Sequence, residues 1–482
     1  MIAVSFVGSL ALILAIGLWS ARASRGTGRD YYLASSSVLP WLVGLSAVAT
    51  NNSGYMFIGV MGYTYVAGLA SVWLMVGWIV GDFLASLLVH RRLRDATARS
   101  RETSFAGVLA RWHGERWPLW QTLAGLISLI FLLAYGAAQL VAGSKALLVL
   151  LDWPLWSGAV AGAVIVCLYS LAGGIRASIW TDAVQSAIMM CAMGVLLYAA
   201  LAALGGPAAA WARMGAVPGF LDWFPRDTAL PGAGGGALFA LAWMFAGLSV
   251  VGQPHVMVRF MALDDPTQMW RVRGWYYGWF TLFYALATGV VLLSRVYLPA
   301  SGFDAELALP MMALELLPPL LVGLVLAGIF AATMSTADSL ILSCSSSITH
   351  DLLPADDGDR TRWPKLATVA VTLVALAIAL GGNHSVFSLV LFAWSALASA
   401  FAPLLFVYAA GGRPRQGLAI AMLVVGVAVA VGWRALGWHD AVYEGMPGIL
   451  AGLAVYALGR RAQPLAHPVT PAARTARTPP PR

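Results

Sequence analysis

Charged side chains are scarce in this sequence. Only 10% of its 482 residues are Asp, Glu, Lys or Arg, while 60% are hydrophobic. That scarcity excludes a soluble globular chain, in which about a quarter of residues carry charge, and it leaves no soluble domain of useful size. Cysteine is nearly absent. Cys167, Cys191 and Cys344 all fall inside apolar stretches, so neither a disulfide framework nor a zinc spacing is present. No Walker-type glycine loop occurs, which argues against nucleotide drive. The net charge of +8 does not mark a nucleic-acid binder, because its distribution follows membrane topology instead.

What fills the sequence is apolar runs. Thirteen segments are long enough to cross a bilayer: 2–21, 40–64, 68–90, 119–143, 156–175, 182–203, 235–258, 274–297, 318–347, 366–382, 384–411, 416–433 and 442–459. The first has no basic residue before it and Arg22, Arg25 and Arg29 after it, so it reads as a retained span with its N-terminus outside rather than as a signal peptide. With that orientation 24 of the 29 Lys and Arg residues lie inside, and only Lys145, Arg213, Arg226, Arg295 and Arg434 lie outside. The asymmetry supports the odd number of spans. The expected chain is an all-α polytopic protein of the cell (inner or plasma) membrane. A first span and loop occupy 1–39, a core 40–411, two further spans 412–459, and a disordered cytoplasmic tail 460–482.

Two features point to a function. The stretch Gly328–Asp351 carries Ser335, Ser339, Ser343 and Ser347 every fourth residue, one stripe on one helical face. Thr336 and Asp338 flank it, and a carboxylate in mid-membrane costs roughly 2.5–3.5 kcal/mol, so it usually has a job. Such an oxygen-rich lining suits a hard monovalent cation, Na⁺, or a hydroxyl-glued helix interface. Separately, the second span carries Thr50-Asn51-Asn52-Ser53-Gly54 at its middle, and the seventh carries Gly252-Gln253-Pro254-His255. These breaks lie five spans apart, hence in oppositely directed segments. Interrupted helices at matching positions of inverted halves are the sequence mark of a secondary transporter's site.

These residues resemble the sodium:solute symporter family, most of all its sodium/proline branch. The resemblance rests on Leu168–Gly174 with Trp180-Thr181-Asp182-Ala183-Val184-Gln185, on Ala331-Ala332-Thr333-Met334-Ser335-Thr336, and on Gly252-Gln253-Pro254-His255 with Arg259-Phe260-Met261-Ala262; Tyr443-Glu444 and Pro447-Gly448 fit the last span. It implies a leucine-transporter-like core of two inverted five-helix repeats, about 40–203 and 235–411. It also implies a sodium site of Ala49, Asn52, Ala332, Ser335 and Thr336. Asn51, Ser53, Gly54, Tyr55 and Tyr135 would then line the solute pocket, with Gln253 and Pro254 nearby. The implied activity is cation-coupled symport of a small solute, proline or a related amino acid, with no enzymatic step.

The departures from that branch shape the expectation. Asn51 stands where proline symporters carry an Asp, and Asp338 stands where they carry a small neutral residue. The expectation is that the carboxylate has moved across the cation site, making Asp338 part of it. Ala246 and Val250 replace aromatic residues, which reshapes the pocket. Asp182 is read either as a helix cap or as an inner ion-release group. Asp82 is read as structural, near an inner helix end, and His255 and Arg259 as loop anchors at the inner mouth. The alternatives are H⁺ as coupling ion, another amino acid or a carboxylate as solute, and a transporter-like membrane sensor, against which no output domain follows residue 460. The expected partners are the solute and the lipid bilayer, with no nucleic acid and no obligatory protein.

Overall fold

The computed structural model describes residues 1–298, 302–353, 362–382 and 385–460. Most of the tail expected at 460–482 therefore lies outside the described residues. Among these the backbone is helical apart from turns, loops and one isolated bridge. Helix α1 (Ile2–Ser20) and short α2 (Gly28–Leu33) lead into α3 (Pro40–Gly54), a π turn at Tyr55–Gly59, and α4 (Val60–Ala67). There follow α5 (Val72–Ser100), α6 (Phe105–Ala110), α7 (Pro118–Leu151), α8 (Leu155–Leu204) and α9 (Pro207–Gly215). The chain continues through α10 (Gly232–Leu248), a 3₁₀ turn at Ser249–Gly252, α11 (Pro254–Met261), α12 (Met269–Tyr297), α13 (Ala308–Leu316) and α14 (Pro319–Ser346). It closes with α15 (Arg362–Gly381), α16 (Val386–Ala409), α17 (Gln416–Ala435) and α18 (Gly445–Gly459).

Local chemistry sets many of these boundaries. Proline opens α3, α7, α11 and α14, where its missing N–H costs nothing. Ser104 and Ser385 cap α6 and α16 by accepting from Gly107 and Ser388 N–H. Among the described residues ten helical stretches are long and apolar enough to span, two of them of 61 and 50 residues. A single crossing takes about 20 residues. The expected division into thirteen treats each of those two as a pair of crossings and adds the 15-residue α18.

The 50-residue stretch is α8, in which the fifth and sixth spans are two helices that meet at a kink with no loop between them. It bends at Gly174 (φ 55, ψ −141), a conformation that L side chains avoid, and a Cβ there would strike the Tyr31 carbonyl. Both spans expected to be broken are broken. Ser53 sits at φ 43, ψ 176 within α3, and Gln253 is extended (φ −99, ψ 103) between the 3₁₀ turn and α11. A non-glycine residue at positive φ costs about 1–3 kcal/mol and persists only where its surroundings dictate it.

Helices α14 and α16 form the centre. Of their most apolar windows 83% and 89% is buried within the protein, against 17% for α1. The hydroxyl stripe of α14 therefore faces protein and not acyl chains. At one end of the bundle the two broken spans are tied by a parallel bridge: Val38 N–H donates to Ala262 O (3.1 Å) and Asp264 N–H to Val38 O (3.0 Å). Arg94 of α5 donates to the carbonyls of Leu263 (2.5 Å) and Asp264 (3.2 Å), locking the same strands. Also at this end, Asp30 accepts from Arg25 N–H, Ser35 Oγ and Arg176. Burial alone would raise the Asp30 carboxyl, but these donors outweigh it and hold it below its usual value.

Candidate cation and solute site

The break at Ser53 releases the carbonyls of the preceding turn, and α14 meets them. Ser335 Oγ lies 3.2 Å from Ala49 O and 3.0 Å from Ala332 O, so three of the six residues expected around sodium already meet at one hydroxyl. Thr336 Oγ1 donates to Thr50 O at 2.8 Å. The neighbouring carbonyl, Asn52 O, accepts from Tyr55 N–H, while the Asn52 side chain donates back to Val48 O. Every one of these residues is buried.

Asp338 faces elsewhere. It accepts from Ser339 Oγ (2.8 Å) and lies 3.9 Å from Arg259, with no hydrogen bond to the Ala49–Ser335 group. The reason is helical geometry, since position 338 is rotated some 200° from 336 at 3.6 residues per turn. Arg259 is fully buried rather than a loop anchor. It donates to Ser178 Oγ (2.6 Å), to Ser339 Oγ and to His255 O, and lies 3.5 Å from Asp182. The break at Gln253 causes this, because it turns α11 back into the bundle instead of letting it run to the surface. Asp182 is no helix cap. It lies inside α8 and accepts from Ser46 Oγ at 2.6 Å, with Thr50 Oγ1 at 3.5 Å. Two carboxylates thus share one guanidinium beside the broken helix.

Beside this lies the region expected to hold the solute, a chamber closely filled by buried side chains from both halves. Gly54 N–H, freed by the break, donates to Gln139 Oε1 at 2.8 Å, and Tyr55 N–H to Ser53 Oγ at 3.0 Å. A Cβ on Gly54 would come within 2.5 Å of Thr333, so only glycine admits this approach of α3 to α14. Tyr135 lies against Ser53 and packs edge-on to His255 (5.4 Å between ring centres) and Trp394 (6.2 Å). Gln253 donates to Ser249 O and Trp394 O. Asn51 instead reaches out of the chamber, donating to Tyr276 Oη at 2.7 Å, and Pro254 lines a cleft with Arg259, Ser343, Ser347 and Asp351. Polar atoms of Asn52, Tyr55, Gln139, Gln253 and His255 have no hydrogen-bond partner among the described residues. Buried polar groups are otherwise almost always paired, so this concentration suits a polar ligand. Gln139, His255 and Trp394 were not among the expected pocket residues. Ser128, Tyr135 and Gln139 are spaced seven and four apart, one helical face, and that signal was available in the sequence.

Aromatic rings close one side of this region. Tyr55, Phe387 and Tyr63 stack face to face, with ring centres 5.4 and 5.0 Å apart. Beyond them Lys145 pairs with Asp304 (2.7 Å) and Glu306 (2.5 Å). Glu306 also accepts from Ser385 Oγ and from the first N–H groups of α16, where a carboxylate is favoured by the helix dipole. Glu306→Gln should loosen this closure by about 1 kcal/mol. A cysteine at Phe387 should then react roughly fivefold faster with a membrane-impermeant maleimide; unchanged labelling would show that Glu306 does not hold the closure.

Known proteins resemble this chain in sequence and in fold. The model of the sodium:solute symporter family matches residues 31–410. The high-affinity proline transporter PutP of Bacillus subtilis is 30% identical over 438 residues, which cover 88% of this chain and 90% of that protein. The sodium/proline symporter of Escherichia coli is 28% identical over 442 residues, 88% of this chain and 86% of that protein. A solved structure of a Na⁺-coupled sialic acid symporter in a substrate-bound outward-open state superposes with a TM-score of 0.79 at 18% identity, covering 96% of this chain and 98% of that one.

Proposed function

The chain belongs to the sodium:solute symporter family, and from that premise we propose that it carries proline or a closely related amino acid across the membrane with sodium. The observation that carries this reading is the meeting of Ser335 Oγ with the Ala49 and Ala332 carbonyls across the break in α3. Neutral oxygens of this kind suit a hard monovalent ion. Ala49, Asn52, Ala332, Ser335 and Thr336 would hold the ion. Asp338 would contribute negative charge through Ser339, from beside the site rather than as a ligand. Asp182, linked to Ser46 of the same broken helix, would receive the ion on its way out.

The solute would occupy the chamber among Ser53, Gly54, Tyr55, Tyr135, Gln139 and Gln253. A substrate carboxylate would take over the Gly54 N–H that Gln139 now accepts, and Tyr135 and Trp394 would enclose an apolar ring. Asn51, turned to Tyr276, would act from behind the chamber wall. Coupling then follows from linkage: an ion that fixes the broken helix against α14 also shapes the solute site, a free energy of about 1–3 kcal/mol. A potential of 100 mV supplies about 2.3 kcal/mol per charge. A tenfold sodium gradient adds about 1.4 kcal/mol. Together they sustain accumulation of roughly several hundredfold.

On the alternation of Lys and Arg the Asp30 end would lie in the cytoplasm and the Glu306 end outside, so the aromatic closure would be the outer one and the cleft at Pro254 and Arg259 would face inward. The core would comprise inverted repeats at about 40–203 and 235–411. The test is labelled proline uptake into proteoliposomes containing the purified chain. Uptake should need an inward sodium gradient and collapse when sodium is equal on both sides at zero potential. Uptake that follows a pH gradient in sodium-free buffer would overturn the sodium assignment. Failure of excess unlabelled proline to drive counterflow would overturn the solute.

A further inference from the structure

We propose that Asp82 is a proton-binding site of the transport cycle, linked to the broken helix through Tyr276 and Asn51. Asp82 lies well inside α5, not near its end, and is fully buried. Neither of its carboxyl oxygens has a well-formed hydrogen bond, and no basic side chain is paired with it among the described residues. This sets it apart from Asp182 and Asp338, which share Arg259. The titratable groups facing it are phenols of α12: Tyr276 and Tyr277 present their hydroxyls to it, and Tyr284 lies farther along. From α10, the Gly247 backbone packs on the Asp82 amide. The nearest basic group on α12, Arg273, is held a turn away by Ser86 O and Oγ.

Tyr276 Oη accepts from Asn51 Nδ2 at 2.7 Å, so its own proton is free to point at Asp82. Asn51 Oδ1 and Tyr277 Oη are also without a hydrogen-bond partner among the described residues. A charged carboxylate in this setting would be unpaired in a low dielectric, and the usual outcome is that the group takes up a proton. As a neutral acid, Asp82 accepts from Tyr276 with one oxygen and donates to Tyr277 with the other, which satisfies the cluster. A proton needs no added volume, whereas sodium at about 2.4 Å from each oxygen would have to spread side chains already in hydrogen-bond range.

Asn51 belongs to the turn just before the break at Ser53, so movement of that helix on ion or solute release pulls it from Tyr276. The acid can then give its proton to water that enters from the open side, leaving a carboxylate to be reprotonated from the other side; no other bond changes. The inference rests on the transport reading but tests apart from it. With pyranine in the lumen of the same proteoliposomes, proline uptake should acidify the interior, and Asp82→Asn should cut protons carried per proline roughly tenfold or more. Sodium-driven uptake without acidification would remove this inference and leave the sodium reading standing. Loss of sodium dependence would remove that reading whatever the dye shows. A second measurement needs no solute and no variant at Asp82. The infrared spectrum of the parent near neutral pH should show a protonated-carboxyl stretch that shifts in Tyr276→Phe, and absence of any such shift would overturn the link.

Discussion

Replacing Arg259 with Leu should leave little folded protein. The guanidinium lies between Asp182 and Asp338, and all three side chains are fully buried. Removing the shared cation strands two carboxylates in a low-dielectric interior, and loss of one member of a buried ion network costs about 3–5 kcal/mol. The guanidinium's hydrogen bonds to Ser178, Ser339 and the His255 carbonyl go too. Heating detergent-purified protein and following the monodisperse fraction by size exclusion measures the effect. The same substitution in an Asp182→Asn, Asp338→Asn background should recover most of the folded yield, because neutral amides need no counter-charge. If Arg259→Leu alone survived heating as the parent does, the three groups would not act as one network.

Ser335→Ala should raise the half-saturating sodium concentration by roughly ten- to a hundredfold while leaving the folded yield near that of the parent. The hydroxyl bridges Ala49 O and Ala332 O. Contacts to a charged partner are worth about 1.5–3 kcal/mol, and every 1.4 kcal/mol is tenfold. The methyl group of Ala leaves the helix intact, and the two carbonyls lose a neutral donor but keep their backbone roles. Sodium-dependent proline uptake, measured at fixed potential across a sodium series, reads the change. An unchanged sodium dependence would place the ion elsewhere, and a drop in maximal rate alone would assign Ser335 to conformational change instead of binding. Thr336→Val offers an internal comparison, since its hydroxyl meets a different carbonyl, Thr50 O.

Several of these features were legible in the residues. The serine repeat of α14 and the Thr50–Gly54 interruption announce themselves by contrast with the apolar runs around them, and the structure brings the two together. Periodicity could not reveal where Arg259 would point. Its position beside basic residues of a loop made a surface anchor the simplest reading. Only the turn at Gln253, which redirects α11, carries the side chain to Asp182 some 80 residues away in sequence. Asp338 illustrates a related limit. Its proximity to Thr336 in sequence suggested a shared site, yet the helical rotation between them sends the two side chains to different neighbours. Asp82 was read as structural because it lies towards an inner helix end, and in the fold it is the missing partner among the described residues that singles it out. The direct junction of the fifth and sixth spans at Gly174 was hidden because two helices meeting at one glycine have the same apolar pattern as two helices joined by a loop.

The parallel bridge at Val38 and Leu263 has a mechanical consequence. It fastens the entry to one interrupted helix to the exit from the other, and Arg94 clasps the same knot from α5. Two levers pinned at a common fulcrum cannot swing independently, so a tilt that closes one pathway must drag the opposite arm along with it.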